Sequence, residues 1–376
     1  MTPARPMDQS AIKRHNIERL LNALERWQPV SRTDLAHITE MSSASVTRIV
    51  GALSALGLVK EVSLTGSSGR GRKAINLRTV PDGLLTLGVS IGPQSLKLCL
   101  LDFSNQPRET KEIPIEGDDL EPARLAALAK ALLGQFSTCD PSCVRYAGVC
   151  LSGRVDGETR RVVRSKVFNW TDVDLAAPLA EALRVPVLIE NDVKSCLTWE
   201  CLARGLLYED EDVAYLYIGR AGIGFAHRSN GRLVRGQSNA AGEIEDTALG
   251  LGERLSDHLM EDSLVARARR LAPSVSGIGD ILDARRMDLP WARVLMDDFF
   301  SHLEIVLQLI QALLDPHVVI LGGDIPDALR DSGLLAPNPH VAFGECFEES
   351  CALGAAVIAM QEAVHGMIES SIASEE

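Results

Sequence analysis

The first apolar positions, Ile12, Ile17, Leu20, Leu21 and Leu24, recur at helical spacing and predict an amphipathic helix ending before Pro29. SRTDLAHI follows: Ser31 with Asp34 is a capping-box-like start, and Leu35 and Ile38 form the buried face of a short second helix. Thr39 to Met41 make a turn. Ser42 then caps a third helix, SSASVTRIVGALSAL, whose Val46, Ile49, Val50 and Leu53 line up as one stripe. Gly57 stops it, and LVKEVSL and KAINLRT predict two strands around the turn GSSGRGR.

From Pro81 the period changes to strands alternating with helices. LLTLGVSI, SLKLCLLDF and PRETKEIPI are strands, residues 120–136 a helix, YAGVCLSG and VPVLIEN further strands, and Val193 to Arg204 a helix. The scheme then restarts. DVAYLYIGRAGIGFAHRSNGRLVRG mirrors LTLGVSIGPQSLKLCLLDFSNQPRE at a shift of about 130 residues, which predicts a two-lobed α/β body with a ligand cleft. HVVILGGDIP adds a strand, a glycine turn and a helix start. The apolar helix from Cys346 to Met367 is expected to pack on the first lobe.

Charge divides the chain at the same place. The net charge is −13, yet residues 1–78 hold 12 Lys/Arg against 6 Asp/Glu, leaving 26 against 45 for the remainder. A basic module on an acidic body suits a chain of which only the first part meets a polyanion. The third helix leaves Ser43, Ser45, Thr47 and Arg48 off its apolar stripe, an acid-free face fit for the major groove. Arg70, Arg72 and Lys73 in the hairpin turn would hold phosphates. The order of elements predicts a winged helix-turn-helix bound to double-stranded operator DNA; the alternative is a small three-helix interaction domain with a solvated hairpin.

Composition narrows the class further. Hydrophobic residues at 46% and charged residues at 24% describe an ordinary globular chain. No apolar run approaches the roughly 20 residues of a membrane span, and Lys13, Arg14, Glu18 and Arg19 in the first helix exclude a secretory core; the expectation is a cytoplasmic protein without membrane insertion. The eight cysteines form no CxxC pair and are expected to be reduced core thiols.

GRVDG, FNW, IENDVKS, GRAGIGFAHRSNGRLVRG, AAGEI, DPHVVILGG and SCALGAAVIA resemble, in order and spacing, the ROK family of repressors, open reading frames and sugar kinases. The resemblance implies an actin/hexokinase-like (ribonuclease H-like) body behind the winged helix. It divides the chain into a DNA-binding domain at 1–80, a first lobe at 81–190 plus 345–376, and a second lobe at 191–344. It also makes Asp192 the counterpart of the kinases' catalytic base, and Asn169, Asn191 and Glu243 the counterparts of sugar-contacting residues. The residues themselves allow Asp192 as a helix N-cap and Asn169 as a turn residue.

The departures from that family decide the expected function. Where a kinase of this kind carries DxGGT, this chain has Ser90-Ile91-Gly92-Pro93-Gln94. The metal-arranging carboxylate is missing and Pro93 removes an amide donor, although phosphoryl transfer depends on such groups. Arg220 replaces a small residue in the second phosphate turn. Asp246 stands where the family's GEIGH has histidine, with the counterpart of a later glutamate near His258, and no cysteine occurs between Cys201 and Cys346 for a zinc cluster. ATP with magnesium, and zinc, are therefore expected to be absent. The reading is a transcriptional regulator, a repressor acting as a homodimer or tetramer, whose body senses a sugar or sugar derivative. The alternatives are a sugar kinase with an appended DNA-binding domain, or a ligand-independent dimerisation or docking body.

Overall fold

The computed structural model describes residues 9–63, 75–138, 140–220, 222–250, 252–330, 332–335, 338–345 and 347–373. The amphipathic period of the first segment becomes α1 (Gln9–Trp27), followed by β1 (Val30–Ser31), α2 (Arg32–Ile38) and α3 (Ser43–Ala55). Ser31 caps α2: its hydroxyl accepts the Asp34 amide at 3.1 Å and donates to Asp34 Oδ2 at 2.7 Å. Ser42 caps α3 by accepting the Ser45 amide at 3.1 Å. Strands β2 (Val59–Ser63) and β3 (Ile75–Thr79) form the hairpin, and β1 joins it in the order β1-β3-β2.

The chain continues through β4 (Leu85–Ile91), β5 (Ser95–Asp102), β6 (Pro107–Pro114), α4 (Pro122–Leu133) and β7 (Val144–Leu151). A small sheet follows, β8 (Arg154–Asp156), β9 (Arg161–Ser165) and β10 (Trp170–Val173). Then come α5 (Ala176–Leu183), β11 (Val187–Asn191) and α6 (Asp192–Ala203). The second half holds β12 (Val213–Ile218), β13 (Ile223–Ser229), β14 (Arg232–Leu233), β15 (Ala248–Gly250) and β16 (Glu253–Arg254). Four helices come next, α7 (Leu255–Leu259), α8 (Glu261–Arg269), α9 (Ile278–Arg286) and α10 (Pro290–Leu314). The chain closes with β17 (Val318–Gly322), α11 (Asp324–Arg330), β18 (Val341–Phe343) and α12 (Phe347–Ala373).

The chain divides into two compact units. The first holds Met1–Val149, Leu175–Leu188 and Ala355–Glu376; the second holds Cys150–Asp174 and Ile189–Gly354. This grouping does not set the N-terminal module apart from the first lobe, and it moves 150–174, 189–190 and 345–354 out of the first lobe expected from the sequence.

In the first unit, Leu20, Leu24, Leu35, Val46, Val50, Leu53, Leu58 and Leu77 are wholly buried, in one core with Met360, Ala363, Val364 and Ile368 of α12. The C-terminal helix thus does more than cover the first lobe. It touches that lobe where the Ala356 carbonyl accepts the Thr86 hydroxyl and where Gly148 leaves room for the Ala355 carbonyl, then runs on into the winged-helix core. A helix apolar on several sides must be buried on several sides. Its segment Phe347–Ser371 is long and apolar enough to cross a membrane by length and composition, which the run-length reading missed; 67% of the apolar window lies buried in the protein. Polar ties fix the seam: Arg14 meets Glu362 at 2.6 Å, and Asn105 Nδ2 donates to both Glu25 oxygens at 3.1 and 3.2 Å.

The first unit's sheet runs β11-β7-β4-β5-β6, with β4 and β5 antiparallel from Leu85↔Asp102 to Ile91↔Leu96. In the second unit the order is β18-β17-β12-β13-β14, with β12 antiparallel to β13 and parallel to β17. Position by position the two orders correspond, so the repeat seen in the sequence is a repeat of topology. The second unit's core lies under α7 to α10, around Leu259, Leu264, Ile281, Met296 and Phe299.

Candidate functional sites

Helix α3 buries Val46, Ile49, Val50, Ala52 and Leu53 and exposes Ser43, Thr47 and Arg48. Arg48 makes no ion pair among the described residues, so its guanidinium is open to an anion. Ser45 is half-buried and its hydroxyl bonds Ser42 Oγ at 2.9 Å, beside the helix cap. Gly51 lies on the exposed face, with open space where a Cβ would be. Glycine in a helix interior costs about 1 kcal/mol relative to alanine, and here it leaves the backbone bare for close approach. Arg70, Arg72 and Lys73 lie outside the described residues.

The strands beside that turn supply cations that pattern reading missed. Lys60 and Arg78 are directly opposed across β2 and β3, and both are exposed. Like charges directly opposite destabilise a strand pair, and a polyanion against the hairpin would relieve that repulsion. Only the strand register reveals the pair.

The second site lies in the second unit, where β11 runs into α6. Asn191 caps α6, its Oδ1 accepting the Lys194 amide at 3.1 Å, so Asp192 is the first helical residue and not the cap. The Asn191 amide also donates to the Gly153 carbonyl at 3.1 Å and to Asp192 Oδ1 at 2.9 Å. Asp192 Oδ1 takes the Val193 amide as well, at 2.9 Å. Removal from water raises the Asp192 carboxyl to about 6, its own hydrogen bonds opposing, and the nearby Glu243 charge pushes it further up. Such a carboxyl can take a proton or a hydroxyl hydrogen bond near neutral pH.

Glu243 is exposed, and follows Gly242, whose φ of +99° and closeness to the Phe225 carbonyl exclude a side chain. Asn169 is exposed in the β9–β10 turn at φ +53°, which gives it the turn role, and no hydrogen bond among the described residues joins it to the other three. Its neighbour Lys166 bonds Glu245 at 3.2 Å and Asp246 at 2.5 Å. Asp246 also pairs with Arg254 at 2.8 Å, so the carboxylate in the histidine's place is occupied by cations. Sequence reading missed Lys194, Glu190 and Arg235. Lys194 is 4% exposed, and burial lowers its ammonium pKa, while Arg235 holds Glu190 at 2.6 and 2.9 Å.

The two glycine turns are built differently. In the first, Gly92 N bonds the Ser95 carbonyl, and Ser90 faces Lys97, which Glu112 pairs at 3.3 Å. In the second, Gly219 N bonds the Gly222 carbonyl, and the Arg220 amide donates to Asp324 Oδ2 at 2.8 Å. A carboxylate thus takes an amide of that turn. Arg220 also lines a polar cavity of about 470 Å³ with Glu261, Asp262, Arg269 and Ser276; no expected sugar-binding residue lines it. Among the described cysteines, only Cys143 is exposed; Cys196 lies 3.0 Å from Cys351 as a free thiol, raised to about 12 by burial.

A profile of the ROK family matches residues 86–253. The xylose repressor of Bacillus spizizenii is 27% identical over 250 residues, covering 63% of this chain and 61% of the repressor, so the match spans less than two thirds of that relative. A transcriptional regulator of Mycobacterium tuberculosis H37Rv is 25% identical over 366 residues, covering 88% of this chain and 82% of its own. Among solved structures, a ROK family transcriptional regulator described as a homolog of the Escherichia coli MLC protein superposes with a TM-score of 0.76. It is 20% identical and covers 96% of this chain and 99% of its own. A ROK family glucokinase from Streptomyces griseus, solved with glucose and AMPPNP, reaches 0.58 at 22% identity, covering 74% and 99%. At these identities the structures establish the fold, the actin/hexokinase-like frame that regulators and sugar kinases share. With its doubled sheet, its IEND and AAGE segments and the matched residues 86–253, the chain carries a ROK family domain.

Proposed function

We propose that the protein is a DNA-binding transcriptional repressor whose ROK body senses a sugar or sugar derivative and holds a homodimer. The observation that carries the DNA reading is the acid-free exposed face of α3, with Arg48 unpaired among the described residues and the opposed Lys60 and Arg78 beside it. The relatives named xylose repressor and transcriptional regulator support the same reading. Two winged helices would read a pseudo-palindromic operator, with Arg70, Arg72 and Lys73 on phosphates, and the place of action would be the cytoplasm. An effector would act by favouring one of two arrangements of the body, through its differential affinity for them. Binding of the full chain to its own upstream DNA tests this. Arg48→Ala is expected to weaken binding about tenfold and to lower the salt slope by about 1; unchanged affinity and slope would overturn the assignment of α3.

Asn169, Asn191, Asp192 and Glu243 are the residues we assign to the sugar, with Lys194 as a further polar neighbour of Asn191 and Asp192. One observation favours the kinase reading, the Asp192 carboxyl raised to about 6 as a general base would be. Against it stand the self-closed first turn without a carboxylate and the Asp324 oxygen on the second turn's amide. We therefore infer a sensor that uses neither ATP with magnesium nor a cysteine-held zinc. A coupled phosphorylation assay over a sugar panel decides it, since ATP turnover above background would make the protein a kinase.

A further inference from the structure

Outside both sites, α7 and α10 bring two histidines and a carboxylate together in the second unit. Asp298 and His302 stand one turn apart on α10, and His258 reaches them from α7. One donor atom from each of the three lies within 4.8 Å of the others. His258 Nδ1 is 3.0 Å from Asp298 Oδ2, and His302 Nδ1 is 3.4 Å from Asp298 Oδ1. Donors about 2.0–2.1 Å from a tetrahedral zinc ion stand roughly 3.3 Å from each other. Each separation is within about 0.4 Å of that value, but to different Asp298 oxygens. His302 Nδ1 also stands 2.8 Å from the Asp298 carbonyl, a contact the ring must give up or turn from to hold an ion.

The wiring of the cluster points the same way. His258 is 9% exposed, and its Nε2 has no hydrogen-bond partner. Glu253 Oε2 stands 3.5 Å from that nitrogen, a carboxylate placed behind an imidazole as in the outer shell of metal-bound histidines. The two imidazoles stack with centroids 3.8 Å apart and planes 20° apart. Arg267 Nη2 holds Asp298 Oδ2 at 2.7 Å, which orients the carboxylate and leaves Oδ1 on the His302 side.

We propose that His258, Asp298 and His302 bind one divalent transition-metal ion of the zinc class, with Glu253 in the outer shell, cross-linking α7 to α10. Two imidazole nitrogens and one carboxylate oxygen are a donor set suited to Zn²⁺ or Co²⁺ and poor for Mg²⁺. The site uses no cysteine, so it is separate from the cluster whose absence led to the expectation of no zinc. The rival description is a polar network alone, with His258 between Asp298 and Glu253.

The test uses the full chain freed of metal by chelation and dialysis, then titrated with Zn²⁺ and, separately, Co²⁺. Expected are one ion per chain, a rise in Tm with added Zn²⁺, and the visible bands of tetrahedral Co²⁺ without a thiolate charge-transfer band. His302→Gln, on a partly exposed helix position, should weaken Zn²⁺ binding at least tenfold, whereas Cys143→Ser should leave it unchanged. Wild-type protein that takes up no ion overturns the proposal, as does a thiolate band or a folded His302→Gln chain that binds like wild type. Because the wild-type titration stands by itself, a misfolded variant does not protect the idea.

Discussion

The two five-stranded sheets share one strand order, yet their leading hairpins have become different objects. In the β4–β5 hairpin, Gly92 bonds within the turn and its missing Cβ would meet nothing closer than 3.4 Å. In the β12–β13 hairpin the turn is tied outward: Gly219 and Arg220 carbonyls accept the Glu261 and Asp262 amides at the start of α8, and Asp324 takes the Arg220 amide. Four residues after Arg220, Gly224 lies against Val193, where a Cβ would come within 2.5 Å of a methyl. A sheet keeps its order because its strands are buried on hydrophobic contacts. The turns answer to whatever they touch, and the first turn touches mainly itself.

A large effect should come from filling the crowded side. Gly224→Ala is expected to destabilise the protein by about 2–3 kcal/mol, because the added methyl overlaps Val193 in a packed corner; a denaturant midpoint equal to wild type would refute the crowding. Val193 follows Asp192, which provides the next effect. The Asp192 carboxyl, raised from 3.8 to about 6, is protonated in both the folded and unfolded chain below pH 4. Between about pH 4 and 6 the unfolded chain ionises first, so stability falls as pH rises, by on the order of 3 kcal/mol, and is then level. Asp192→Asn should remove that fall and raise Tm at pH 7 while abolishing any sugar-dependent Tm shift; a Tm–pH profile parallel to wild type would contradict the raised carboxyl. The smallest effect belongs to the other hairpin. Gly92→Ala should change stability by no more than about 0.5 kcal/mol, and a loss as large as that of Gly224→Ala would erase the contrast.

Much of the fold was legible because local rules and burial agree in it. The stripe Val46, Ile49, Val50 and Leu53 is buried as read, and Ser31 and Ser42 cap the helices they precede. The strands around Gly92 and Gly222 pair where alternation placed them. The sites were less legible. Asn191 and Asp192 were visible as IEND, but whether the cap was Asn191 or Asp192 depended on backbone geometry that either residue type permits. Ser45 reads as a groove-facing hydroxyl, and only the structure shows that it also bonds the capping Ser42. Arg70, Arg72 and Lys73, the cations most evident in the text, fall outside the described residues, while Lys60 and Arg78 are neighbours only through strand register.

By itself the sequence determined the class of this protein: a basic winged helix ahead of a doubled α/β body. These are properties of periodicity, composition and short motifs, which act over a few residues. Tertiary structure alone decided what the long-range partners do. It placed α12 in the winged-helix core, gave Asp246 to Lys166 across 80 positions, and set His258 beside Asp298 across 40. Such pairings depend on how buried faces pack, and a charge or an imidazole carries no local signal of the partner it will meet.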